Sequence, residues 1–308
     1  MATTAEPQPG TVTKAANAPT TAKGWGTEAP DQPLRPMEFE RRALRPDDVA
    51  IQITFAGICH SDLHTCRDDW ESTIYPAIPG HEIVGTVTAV GDEVTRHEVG
   101  DTVAVGCMVD SCMECDQCLA GWEVFCRKGC VQTYNSADYH DGTITKGGYT
   151  DHIVVRDHFV LKVPDGMDVS RVAPLLCAGI TTYSPLRQYD VGPTSKVAVV
   201  GLGGLGHMGV KLAAAMGAHV TMITTSSAPS RRASSDLPGE VVNSVVCAPI
   251  AWASLSPMWP RPPRPTTPTR EPSPTPQWRS GEKVVMPAHR SGAAAASSRF
   301  DGIRSTNA

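Results

Sequence analysis

Apolar and polar residues alternate from Val49 to Ala56, the period-two pattern of a half-buried strand, and this strand runs straight into Gly57-Ile58-Cys59-His60-Ser61-Asp62-Leu63-His64. Pro79 to Gly91 is a β-branched run punctuated by glycines, with His81 and Glu82 at its entry. Gly100 to Val105 repeats the turn-then-strand pattern, Lys146 to Val155 repeats it again, and Leu161 to Pro164 closes another strand. Together these stretches predict a compact β domain of short strands and tight turns. Ala173 to Tyr183 is mostly apolar and predicts a buried helical stretch.

The pattern changes at Lys196. Lys196 to Val200 is an apolar strand that enters Gly201-Leu202-Gly203-Gly204-Leu205-Gly206. Leu205, Met208, Leu212 and Met216 then recur at spacings of three and four, which predicts a helix with one buried face ending at Gly217. Ala218 to Thr224 predicts a second strand. A Gly-x-Gly-x-x-Gly turn between strand and helix predicts a dinucleotide site, with residues Gly201, Leu202, Gly203, Gly204, Leu205 and Gly206 bringing the pyrophosphate to the helix N-terminus. An acidic residue at the end of the second strand would accept from the adenosine ribose. Here Thr224-Thr225-Ser226-Ser227 with Arg231 and Arg232 stands instead, so NADP(H) is the expected cofactor, with Thr225 and Ser226 as contacts.

Candidate chemistry lies in the cysteines. Cys112, Cys115, Cys118 and Cys126 are spaced so that four thiolates can close a tetrahedron around Zn²⁺; a disulfide pair or an iron–sulfur cluster are the other readings of four close thiols. Cys59, Ser61 and His64 combine a soft ligand, a hydroxyl and an imidazole, although a buried thiol beside surface imidazoles has the same sequence. His81 read alone is a hydrogen-bonded core residue or a ligand. Cys177 is a core thiol or the third ligand of an open zinc site.

The 308 residues are 41% hydrophobic, enough for roughly two domains. No run approaches the roughly 20 apolar residues of a membrane span, and the N-terminus lacks the charged start and apolar middle of a signal peptide, so a cytoplasmic protein is expected. The net charge of −5 hides an asymmetry: 17 Lys+Arg face 27 Asp+Glu up to Ser227, and 10 face 5 from Ala228 on. The basic end lacks the aromatics and folded basic face that nucleic acid requires, and nine prolines between Pro257 and Pro276 exclude helix and sheet there.

On these residues, from about Ala22 to Ser227, the chain resembles the zinc-dependent medium-chain alcohol dehydrogenases, and within them the cinnamyl-alcohol-dehydrogenase-like NADP-dependent aldehyde reductases. The resemblance implies an α/β protein: a GroES-like β-rich catalytic domain joined to a Rossmann domain, incomplete here. The expected divisions are a disordered leader over 1–21, the zinc catalytic domain with its structural-zinc lobe over 22–170, a partial cofactor-binding domain over 171–246, and a Pro/Ser/Arg-rich disordered or out-of-frame tail over 247–308. It implies two zinc ions per chain: a catalytic one on Cys59, His81 and Cys177 with Glu82 as an alternative or transient ligand, and a structural one on Cys112, Cys115, Cys118 and Cys126. Ser61 and His64 match the proton-relay positions, Ser61 and Thr181 match positions at the cofactor, and Trp70 is either an ordinary buried tryptophan or a candidate pocket wall. The implied reaction is hydride transfer between NADP(H) and a small primary alcohol or aldehyde, aromatic or aliphatic. The family forms homodimers through a sheet edge that belongs to the departed part. After Ser227 the resemblance stops except at Glu240 to Ser244, which resembles the family's third Rossmann strand, as a reading frame lost, regained and lost again would leave it. A catalytically inactive zinc-binding fragment with a Pro-rich interaction tail is the alternative expectation.

Overall fold

The computed structural model describes residues 18–224 and the strands Glu240–Asn243 and Lys283–Pro287. It divides into two compact units between Ile180 and Thr181. The first opens with β1 (Thr20–Gly26) and β2 (Arg35–Arg41), an antiparallel pair that starts inside the stretch expected as leader. Then follow β3 (Asp48–Ala56), α1 (His60–Arg67), β4 (Ile83–Val90), β5 (Thr102–Val105), β6 (Met108–Asp110), α2 (Asp116–Leu119), β7 (Val131–Gln132), β8 (His152–Arg156) and β9 (Val160–Lys162).

Five of these strands form an antiparallel sheet in the order β8-β3-β4-β5-β9. The period-two pattern sorts its two faces. Val49, Ile51, Ile83, Val87, Val103 and Val105 share one core cluster, while Val84 and Ala104, one residue out of phase, pack on the other side against Val172, Ala173 and Leu176. Each fully buried Val or Ile contributes about 1.5–3 kcal/mol, so the register of β3 and β4 is firmly specified. The second cluster fixes Leu176, and with it the neighbouring Cys177.

The helical stretch expected from Ala173 to Tyr183 is two pieces. Ala173–Leu176 is a single 3₁₀ turn, Cys177 leaves helical geometry at φ −122° and ψ −73°, and α3 runs over Ala178–Gln188. The break at Cys177 turns its thiol out of the helical repeat that the apolar pattern suggested.

In the second unit, β10 (Lys196–Val200), α4 (Gly204–Ala215), β11 (His219–Thr224), β12 (Glu240–Asn243) and β13 (Lys283–Pro287) build a parallel sheet in the order β12-β11-β10-β13. Val197 and Val199 of β10 pack with Val210 and Ala213 of α4 and with Val220 and Met222 of β11. Among the described residues the first strand lies inside the sheet, the second and third to one side and the fourth to the other, a 3-2-1-4 order. Glu240–Asn243 thus pairs as a third strand. β13 differs from the sequence expectation, which placed residues 247–308 in a disordered or out-of-frame tail. Val284-Val285-Met286 is a short β-branched and apolar run, and among the described residues β13 stands at the edge of the sheet, where Pro287 is tolerated. The proline-rich stretch from Pro257 to Pro276 lies outside the described residues.

Candidate functional site

Three separate segments of the first unit converge on one group of donors. Cys59 follows β3 and caps α1, His81 and Glu82 immediately precede β4, and Cys177 sits at the break before α3. One ligand atom from each of Cys59, His81, Glu82 and Cys177 lies within 4.8 Å of every other. The Cys59 and Cys177 sulfurs are 3.6 Å apart. Gly57 is what lets Glu82 approach: a Cβ there would stand 2.1 Å from Glu82 Oε2.

Asp62 organises the group from behind. It is 3% exposed, and its Oδ1 lies 3.0 Å from His81 Nδ1 and accepts from the Gly80 N–H at 3.0 Å. Its Oδ2 accepts from the Cys59 N–H at 2.9 Å and from the Tyr149 hydroxyl at 2.9 Å. Burial pushes the Asp62 carboxyl up, but His81 and these donors outweigh it and hold the group below the ordinary carboxylate range. With Nδ1 engaged by Asp62, Nε2 of His81 is left for the thiols.

The donors also crowd one another electrostatically. The neighbouring Cys177 thiol and burial push Cys59 up to about 11, and burial with the Cys59 charge pushes Glu82 up to about 7. Burial alone would lower His81, yet Asp62, Cys177 and Cys59 together push it up to about 12. Cys59, His81 and Glu82 are each driven toward holding a proton, as groups are in a site that favours added positive charge. Two sulfurs, one imidazole nitrogen and one carboxylate oxygen at this separation fit a zinc-type cation.

The second group is local. β6 leads to Cys112, Cys115 caps α2, Cys118 lies on α2 and Cys126 follows a 3₁₀ turn at Glu123–Phe125. Ligand atoms of Cys112, Cys115, Cys118 and Cys126 lie within 4.8 Å of one another, with Cys115 and Cys118 sulfurs 3.5 Å apart. The Arg127 N–H donates to the Cys115 sulfur and the Cys112 N–H to the Cys126 sulfur, each at 3.4 Å. The amides of Arg127 and Cys118 pull the Cys115 thiol down to about 6, whereas burial pushes Cys118 up. Four sulfurs with backbone donors and no carboxylate fit a closed structural zinc site.

In the second unit, Gly201 takes φ 93° at the end of β10, and a Cβ on Gly206 would stand 1.9 Å from the Gly201 carbonyl oxygen. The turn thus requires glycine at both places and delivers the chain to the N-terminus of α4, where backbone N–H groups are unpaired.

Residues 45–165 match the alcohol dehydrogenase GroES-like domain. The chain is 59% identical over 188 residues to a probable formaldehyde dehydrogenase, AdhA, of Bacillus subtilis, covering 61% of this chain and 54% of that protein. It is 56% identical over 207 residues to NADP-dependent alcohol dehydrogenase C 1 of Mycolicibacterium smegmatis, covering 67% of this chain and 59% of that one. The solved structure of the cinnamyl alcohol dehydrogenase of Helicobacter pylori with NADP(H) is similar at a TM-score of 0.65 and 46% identity, over 68% of this chain and 60% of that one. The chain carries the GroES-like domain of the alcohol dehydrogenases. It spans 54% and 59% of the length of these two sequence relatives.

Other positions assigned through the dehydrogenase family fall as follows. Ser61 and His64 are three apart on α1 and so lie on one helix face. His64 Nδ1 is 2.7 Å from Asp69 Oδ2, and its ring lies 5.2 Å from those of His60 and Trp70. Trp70 is half exposed. Thr181 lies on α3 with its side chain exposed. Thr225 and Ser226 lie outside the described residues. No helix among the described residues is long and apolar enough to cross a membrane.

Three residues that carry the site's geometry had no role in the sequence-based expectations: Asp62, Gly57 and Tyr149. Asp62 carries a local signal, because an acidic residue three places after a helix cap reaches back to the cap N–H. Nothing in the sequence ties Tyr149 to Asp62.

Proposed function

We propose that the chain is a zinc-dependent dehydrogenase or reductase that moves hydride between NADP(H) and a primary alcohol or aldehyde, aromatic or aliphatic. The observation that carries this reading is the convergence of Cys59, His81, Glu82 and Cys177 within 4.8 Å. Cys59, His81 and Cys177 would hold the catalytic zinc with Glu82 as an alternative ligand, and Cys112, Cys115, Cys118 and Cys126 the structural one. Zinc so held supplies a Lewis acid for the substrate oxygen, and the nicotinamide supplies or accepts the hydride.

The chain's own residues do the rest. In the alcohol-oxidising direction Ser61 Oγ takes the substrate hydroxyl proton and hands it to Nε2 of His64, whose Nδ1 is held by Asp69. Asp62 keeps the His81 ring in one tautomer and one orientation. The Gly201–Gly206 turn presents backbone N–H groups to the cofactor pyrophosphate, with Thr181, Thr225 and Ser226 as further cofactor contacts. The NADP dependence carried in the name of the M. smegmatis relative supports NADP(H) over NAD(H).

The test is NADPH oxidation by the zinc-loaded chain with an aromatic aldehyde such as cinnamaldehyde. Turnover that Cys59→Ser abolishes is expected. A soluble chain with zinc in both groups and no turnover would contradict the reading and leave metal binding as its activity.

A further inference from the structure

We propose that Tyr149 is a positioning residue for the Cys59–His81–Glu82–Cys177 group, its hydroxyl fixing the Asp62 carboxylate that in turn fixes the His81 imidazole. This rests on the reading that those four residues hold a metal ion.

Four groups lie within 3.0 Å of the two oxygens of Asp62, and their origins differ. The Cys59 N–H, the Gly80 N–H and His81 Nδ1 belong to the segments that carry the ligands, so they move with the site. The Tyr149 hydroxyl, 2.9 Å from Oδ2, comes from a segment that supplies no ligand. That segment is tied down on two sides. Tyr149 N–H donates to the Pro79 carbonyl at 3.0 Å and its own carbonyl accepts from the Trp25 N–H at 2.8 Å, while Gly147 and Gly148 N–H groups reach Ile78 and Gly80 at 2.7 and 2.8 Å. The Arg41 guanidinium, in a side chain only 9% exposed, clamps the same segment by donating to the carbonyls of Lys146, Gly147 and His152 at 2.6, 2.8 and 3.2 Å. Gly80, at φ 104°, makes room for the ring: a Cβ there would stand 2.7 Å from Tyr149 Cδ1.

The consequence is geometric. The Gly80 N–H and His81 Nδ1 hold Oδ1 and the Cys59 N–H holds Oδ2, all from ligand-bearing segments, while the Tyr149 hydroxyl is a second donor to Oδ2 from a segment that Trp25 and Arg41 also clamp. A carboxylate partner fixes the tautomer and ring plane of a metal-binding histidine, and its loss typically lowers metal affinity by about 10–100-fold. Removal of the Tyr149 hydroxyl leaves the ring packing intact and Oδ2 with the Cys59 N–H alone, so the Asp62 carboxylate gains freedom that His81 then shares.

The experiment is zinc competition against a chromophoric chelator, with the cobalt(II) absorption spectrum as second readout, on the full chain and on Tyr149→Phe, Asp62→Asn and the double variant. The site is identified as the one lost in Cys59→Ser. Tyr149→Phe is expected to weaken that site by about tenfold and alter its cobalt spectrum, to leave the four-cysteine site unchanged, and to add nothing on the Asp62→Asn background. Unchanged affinity in Tyr149→Phe, an equal loss at both sites, or the same tenfold loss on the Asp62→Asn background would each overturn the inference. A wild-type chain whose Cys59 site takes up no metal would instead overturn the reading on which it rests.

Discussion

The two donor groups reach the same separation by opposite routes. Cys59 and Cys177 are 118 residues apart in the chain and meet because a five-stranded sheet packs Val84 and Ala104 on the segment before Cys177. The four cysteines between Cys112 and Cys126 sit in one short segment, where the Cys112 and Arg127 N–H groups donate to two of the sulfurs. The first group mixes sulfur, nitrogen and oxygen donors and is assembled by the fold; the second is all sulfur, and the metal would assemble it. In the first, therefore, losing a ligand should cost chemistry, and in the second it should cost structure.

Cys118→Ser tests this division most severely. Cys118 is buried, and structural zinc binding is itself folding energy of on the order of 10 kcal/mol, so this variant should lose its lobe metal and melt far below the wild type in a thermal scan. An unchanged melting temperature would erase the contrast. Cys59→Ser should do the reverse: turnover falls by roughly three orders of magnitude or more, while stability stays within about 1–2 kcal/mol in denaturant titrations. Asp62→Asn should weaken metal at the mixed-donor group by about 10–100-fold and leave the four-cysteine group untouched, as read by chelator competition.

Smaller effects sharpen the contrast at the lobe's base. Asp138 accepts two hydrogen bonds from Arg45, at 3.0 and 3.2 Å, next to Tyr139, whose hydroxyl lies 3.4 Å from the Cys126 sulfur. Burial pushes the Asp138 carboxyl up, but Arg45, the His140 N–H and Arg42 outweigh it and hold it below the ordinary range. A carboxyl lowered by folding stabilises above its unfolded pKa of about 3.9, and that contribution is lost as the pH falls through the folded value. Asp138→Asn should thus cost about 2 kcal/mol at neutral pH and progressively less in acid, measured by urea unfolding across pH. Arg127→Ala, which removes an exposed pair with Asp116 at 2.7 Å, should change neither melting temperature nor metal content measurably.

The same contrast explains what was legible in the sequence. The four-cysteine spacing announces its group because the ligands are local, and the glycine turn announces itself because Gly201 takes a positive φ and Gly206 leaves no room for a Cβ. Alternation along Val49–Ala56 and the β-branched run after Pro79 marked the central strands, whose buried residues sort by parity onto two cores. Convergence of Cys59, His81 and Cys177 is a tertiary fact, readable beforehand only through resemblance to a family. Tyr149 and Asp62 meet across 87 positions, and no pattern in either segment encodes the pairing. β13 was hidden for a different reason: three apolar residues, Val284, Val285 and Met286, after a proline-rich stretch carry too short a signal to stand out.

Zinc content of the purified chain and of its Cys59→Ser and Cys118→Ser variants tests the central claim most directly. Two donor groups predict about two zinc ions per wild-type chain and about one in each variant, with the melting temperature preserved only in Cys59→Ser. About one zinc per wild-type chain, unaffected by Cys59→Ser, would contradict the assignment of the mixed-donor group and the hydride chemistry built on it.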